Sequence, residues 1–245
     1  MSIVNRGDVS LYYEESGPAD GYPVLLIAPG GMRSRVSFWH GSPFDPTVEL
    51  AAGFRVIAMD QRNAGNSRAP IGEADSWSVY RDDQLALLDH LGIARCHIMG
   101  GCIGCSYCLA LLEAAPERVT AAVLQNPIGI SNGNRPAFRD MFDDWANELQ
   151  RQRPEIDAAQ LRAFGKRMFG GEFVFSVSRE VVRQCRAPLL VLAGDDNFHP
   201  TATAAEIARL APRAELLLTW KTPDVVPETV KRVRSFLQAH TPSRS

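Results

Sequence analysis

The chain has 245 residues, 45% hydrophobic and 22% charged, with a net charge of -2 at pH 7. That composition describes one ordinary globular domain over residues 1–245, long enough to bury a large core. It offers no basic stripe for nucleic acid and no apolar run long enough to span a membrane. The first residues, MSIVNRGDVS, carry neither a basic nor an apolar leader segment, so the expectation is a cytoplasmic protein without nucleic-acid or membrane partners.

In chain order, Val9 to Glu14 alternates and reads as a first strand, closed by Ser16-Gly17-Pro18. Pro23 to Ala28 is a continuous apolar run of the kind buried on both faces of a parallel sheet, and it ends at the turn Pro29-Gly30-Gly31-Met32. Ser42 to Pro46 reads as loop and Pro46 to Ala52 as a short helix. Phe54 to Asp60 is the next buried strand, followed by a polar loop to Ser67. Ser76 opens a helix to about Leu91, with Val79, Leu85, Leu88 and Leu91 on one face, and Gly92 closes it. A strand then enters Cys102, a helix runs to Ala115, and Pro116 stops it. Val119 to Leu124 is another strand. From about 127 to 186 the alternation breaks into a charged, aromatic-rich segment that reads as a mainly helical lid. Pro188 to Ala193 resumes the sheet, Thr201 to Leu210 is a helix, Ala214 to Trp220 the last strand and Val225 to Leu237 the last helix. Strands alternating with helices predict an α/β class with a mostly parallel sheet, whose ligands bind beyond the C-terminal strand ends.

One stretch is written for chemistry. Gly100-Gly101-Cys102-Ile103-Gly104 places a glycine two residues either side of a cysteine, between a strand and a helix. This is the spacing of a nucleophile elbow, G-x-S-x-G with Cys for Ser. The helix N-terminus favours the thiolate. Of the five cysteines, Cys102, Cys105 and Cys108 are spaced C-x2-C-x2-C, but Leu112 stands where a fourth cluster ligand belongs. Cys105 and Cys108 are therefore read as small apolar helix residues, and no metal or cofactor is expected.

With these motifs in place, the chain resembles the α/β-hydrolase family over nearly its whole length. Leu25 to Gly31 is similar to the family's strand and oxyanion turn, with Pro29-Gly30 where His-Gly is usual. Asp60 to Ser67 is similar to its D-x-R-G-x-G-x-S loop, with Asn63 for the first Gly, and Leu189 to Asp196 to the strand that delivers the acid. The resemblance implies Cys102 as nucleophile, the backbone N–H groups of Gly31 and Ile103 as oxyanion hole, and Asp196 as acid, with Asp195 as its rival. Gly30, Met32 and Trp145 are expected at the substrate.

The family's general base, a His after the last strand, is missing: that place reads Leu218-Thr219-Trp220-Lys221-Thr222-Pro223. His90, His97 and His240 are read as structural or surface residues. His199, three residues beyond Asp196, is the first candidate, with His40, Lys221 or no base as alternatives. The implied activity is hydrolysis of a small ester, thioester or lactone through a thiolate. A lyase, isomerase or acyltransferase on the same fold, and a small-molecule binder without catalysis, remain open at this point. Dimers are common in the family, and no pattern in the residues decides for or against a homodimer.

Overall fold

The computed structural model describes residues 2–131 and 133–243. Its elements in order are β1 (Ser2–Arg6), β2 (Val9–Ser16), β3 (Tyr22–Ile27), α1 (Pro46–Glu49), β4 (Phe54–Met59), α2 (Trp77–His90), β5 (Cys96–Gly101), α3 (Ile103–Ala114), β6 (Val119–Gln125), α4 (Arg135–Gln152), α5 (Ala158–Phe169), α6 (Arg179–Gln184), β7 (Leu189–Leu192), α7 (Thr201–Leu210), β8 (Ala214–Leu217) and α8 (Val226–Ala239). The strands form one eight-stranded sheet in the order β1-β2-β4-β3-β5-β6-β7-β8. β1 and β2 are antiparallel, as are β2 and β4; all pairings from β4 to β8 are parallel.

The apolar runs explain the middle of the sheet. Val24, Leu25, Leu26 and Ile27 are all buried, as are every residue of β5, β6 and β7. Alternate side chains feed two cores, one on each face. Leu25, Ile27 and Ile98 join one, while Val24, Leu26 and Val123 join the other with α8. A strand covered on both faces has no polar side to alternate, hence the unbroken hydrophobic runs.

Three boundaries depart from the sequence expectation. β1 has the pattern exposed-exposed-buried-exposed-exposed: of its adjacent apolar pair Ile3 and Val4 only Val4 is buried, which gives no alternation to read. It is paired by the tight turn at Gly7-Asp8, where Gly7 takes φ 57°. The helix after Pro46 is one turn long. β8 ends at Leu217, and Trp220 lies beyond it, fully buried. Three helices, α4 to α6, fill the segment between β6 and β7. No helix among the described residues is long and apolar enough to cross a membrane.

Below the sheet's C-terminal edge the polar loop is tied inward. Asp60 accepts the backbone N–H groups of Val36 (2.7 Å) and Asn66 (2.8 Å). Asn63, where the resemblance leads one to expect Gly, takes φ 57°, a left-handed conformation that Asn tolerates better than most side chains. Arg62 holds buried Asp83 with two bonds, Nε–Oδ2 2.7 Å and Nη2–Oδ1 3.0 Å. Replacing Arg62 with Leu leaves that carboxylate buried, with only the longer 3.7 Å pairing to exposed Arg6. Urea unfolding at neutral pH is expected to show a loss of about 3–5 kcal/mol. The loss should shrink in mild acid, where Asp83 takes up a proton; a loss under about 1 kcal/mol contradicts this assignment.

Candidate active site

Parallel register brings the loops together. Ile27 pairs with Met59 and Gly100, Gly101 with Gln125, and Gln125 with Leu192. The Gly30 turn, Cys102, Asn126 and the Asp196 loop therefore leave the sheet at one edge.

Cys102 stands between β5 and α3 with φ 55° and ψ -119°. A side chain seldom adopts a positive φ, and such strain persists only where the surroundings enforce it. Here they do. A Cβ on Gly100 would lie 2.3 Å from the Gly104 carbonyl oxygen, and one on Gly104 would lie 2.1 Å from that of Ile27. The helix and strand can pass this closely only with glycine at both places. Cys102 N–H donates to Gln125 O at 2.9 Å, which pins the elbow to β6.

The backbone N–H groups of Gly30 and Ile103 favour the charged form of the Cys102 thiol. Gly31, next along the same turn, is packed closely by the insertion: a Cβ there would meet the Met141 sulfur at 2.5 Å, so it lets α4 approach the turn. Phe38 packs on Gly30 in the same way, its ring 2.7 Å from where a Cβ would sit.

His199 and Asp196 share the loop after β7. The Asp196 carboxylate accepts the backbone N–H groups of Phe198 (2.9 Å) and His199 (3.0 Å), which curls the loop into a tight turn. Both its oxygens lie 2.8 Å from His199 Nδ1. A carboxylate only accepts, so Nδ1 carries the hydrogen and Nε2 is left to face Cys102. That Nε2 is buried and makes no full hydrogen bond in the resting structure. The thiol and imidazole are electrostatically coupled, each favouring the other's charged form. Such contacts commonly tighten when substrate binds.

The electrostatics follow. Burial is the largest influence on the Cys102 thiol and raises its pKa, but His199 and the two amides outweigh it, and the net shift is downward. Burial alone would lower His199; Cys102 and Asp196 reverse that and raise it to about 9. Asp196 is raised by burial and brought below its ordinary value by His199 and the two amides. The three groups favour thiolate, imidazolium and carboxylate together.

The remaining cysteines contrast sharply. Cys105, one turn further along α3, is fully buried with its sulfur 3.2 Å from the carbonyls of Gly100 and Gln125, and burial pushes its pKa well up. Cys108 and Cys96 are likewise buried and raised, Cys96 to about 12.

Other sequence candidates are placed elsewhere. His40 is exposed and bonds Asp45 at 2.6 Å. Lys221 pairs with Asp195. Trp220, near the place left by the missing His, donates Nε1–H to Ala193 O at 2.7 Å. Met32 is 1% exposed and belongs to the core. Trp145 is also buried, packed on Phe142 and Phe164, and lines a cavity that does not include Cys102. Met32 and Trp145 are thus both largely packed, and Trp145 borders a cavity set apart from Cys102.

Two supports had no sequence signal. Buried Asn134, at the start of α4, donates Nδ2–H to Asn197 O and to Gly129 O, both at 2.9 Å. Phe138 meets Phe198 edge-to-face at 5.2 Å. Both hold the His199 loop from the inserted helices, which no local spacing announces.

A family model described as alpha/beta hydrolase fold matches residues 23–183. A putative carbamate hydrolase, RutD, of Variovorax paradoxus (strain S110) is 37% identical over 118 residues, 47% of this chain and 42% of that protein. A proline iminopeptidase of Arabidopsis thaliana is 34% identical over 118 residues, 47% of this chain and 29% of that protein. The chain thus spans less than half the length of these curated relatives. Among solved structures, a meta-cleavage product hydrolase from Pseudomonas fluorescens IP01 superimposes with a TM-score of 0.72 at 21% identity, covering 98% of each chain. The enol-lactonase from Burkholderia xenovorans LB400 does so with a TM-score of 0.70 at 19% identity, covering 97% of this chain and 100% of that one.

Iodoacetamide at neutral pH is expected to alkylate Cys102 first, with Cys96, Cys105 and Cys108 reacting only in denaturant. Peptide mapping that finds Cys105 modified as fast as Cys102 contradicts the assigned electrostatics.

Proposed function

Because the chain belongs to the alpha/beta hydrolase fold family, we propose that it is an acyl hydrolase of small esters, thioesters or lactones with Cys102 as nucleophile. The observation that supports this reading best is the line Asp196–His199–Cys102, with two amides at the sulfur. Every step below uses the chain's own groups, substrate and water.

The Cys102 thiolate attacks the acyl carbon, and the carbonyl electron pair moves onto oxygen. The N–H groups of Gly31 and Ile103 hold that oxyanion; one such donor is commonly worth about 3 kcal/mol. The intermediate collapses, the leaving alkoxide or thiolate takes the Nε2 proton of His199, and a thioester to Cys102 remains. Neutral His199 then removes a proton from water as the oxygen attacks that thioester. Collapse expels the thiolate, the acid leaves, and the thiolate–imidazolium pair is restored. Asp196 keeps the imidazole oriented and offsets its charge throughout.

We assign the lid role to residues 127–186. Met141 against Gly31 and Phe138 against Phe198 support it, because the same helix touches the oxyanion turn and the His199 loop.

Cys102→Ala is expected to abolish turnover of activated esters and thioesters, and His199→Ala to lower kcat/KM by about 100- to 10,000-fold. For wild type, kcat/KM should be bell-shaped in pH. Its acid limb reflects protonation of the thiolate. Its alkaline limb lies near 9, where His199 loses the proton the leaving group needs. Full activity in Cys102→Ala overturns the proposal.

A further inference from the structure

A second cluster of chemistry lies away from the elbow. Between α4 and the loops after β3 and β4 is a cavity of about 160 Å³. Arg33, Arg35, Arg68 and Arg153 line it against a single carboxylate, Glu148, in a chain whose net charge is -2. Glu148 is already taken, 2.8 Å from Arg33 Nε. Arg153 is held in place: its Nη1 donates to Asn63 Oδ1 (3.0 Å) and Ala69 O (2.8 Å). Arg35 and Arg68 form no ion pair among the described residues, and the Arg35 guanidinium rests 4.7 Å over the Phe38 ring. Arg153 also pairs with Glu155 at 3.0 Å, so two of the four guanidiniums, Arg35 and Arg68, bring positive charge to this concave site without an ion partner among the described residues.

We propose that this cavity binds a compact anion, the carboxylate or phosphate group of a small molecule. Guanidiniums suit both, because their donors are planar, forked and always charged. Space of this size takes a guest of about six heavy atoms. Cys102 is not among the lining residues, so the site is distinct from the reacting sulfur. It is nevertheless close by contact. The ring beneath Arg35 is the one packed on Gly30, whose N–H meets the Cys102 thiol. The anion has two sources: the acidic end of the acyl substrate, or a separate small ligand. The first source rests on the acyl-hydrolase reading; the binding itself does not.

Calorimetry on Cys102→Ala protein, at low ionic strength, tests it with inorganic phosphate and malonate. At least one is expected to bind, and the Arg35→Gln, Arg68→Gln double variant should bind about tenfold more weakly or worse. Both side chains are exposed, so the thermal midpoint should be unchanged. Arg139→Gln, which removes a cation lining a different cavity on α4 and α5, should bind as the parent does. Binding that ignores the double variant, or no heat from either anion, overturns the proposal. With Cys102 present, a raised KM for an acidic ester, with a neutral ester unaffected, assigns the anion to the substrate. Phosphate binding weakened in the double variant, with turnover of both esters unaffected, assigns it to a separate ligand. Because the calorimetry needs no turnover, failure of the hydrolase proposal and failure of this one are distinguishable.

Discussion

Everything at the C-terminal edge depends on one charged line, Asp196 to His199 to Cys102. Each member is penalised by burial, and each is stabilised by its neighbour. Burial disfavours the charged forms of Cys102 and His199, and their mutual attraction, with exposed Asp196 behind the imidazole, restores them. The arrangement is compact because acid and imidazole sit three residues apart on one loop. That loop must turn back sharply, and Gly194 permits it: a Cβ there would lie 2.3 Å from the His199 Cβ. Thr201 latches the same turn by donating Oγ1–H to Gly194 O at 2.6 Å.

Moving the imidazole to this loop changes what the next one has to do. The segment after β8 carries no imidazole and is closed by a tryptophan anchored to Ala193. Lys221 faces Asp195, so the acid beside Asp196 is engaged on a different partner. The inserted helices brace the His199 loop through Asn134 and Phe138, and Met141 closes on the turn whose amide meets the sulfur. Sheet, insertion and loops thus converge on one sulfur, and the strained Cys102 backbone is held from several sides.

Much of this was legible in the residues. Apolar runs gave the central parallel strands, since a strand buried on both faces leaves a continuous signal. The elbow was legible because its steric demand is local: two glycines at fixed offsets from Cys102. Asp196 and His199 were both visible as candidates, but which imidazole reaches the sulfur depends on where two distant loops meet. Met32 and Trp145 show the reverse limit. A pocket wall and a packed core draw on the same apolar residue types, and only burial separates them. β1 escaped because one buried valine in five residues carries no periodicity.

The most direct test of the charged line is the ultraviolet absorbance of the Cys102 thiolate as a function of pH, in wild type and in His199→Gln. In wild type the thiolate should persist well below the pH at which an ordinary cysteine protonates, and in His199→Gln that midpoint should move up by more than one unit, roughly the cost of losing one charge partner. Identical titrations in the two proteins would contradict the account, because the imidazole would then have no hold on the sulfur.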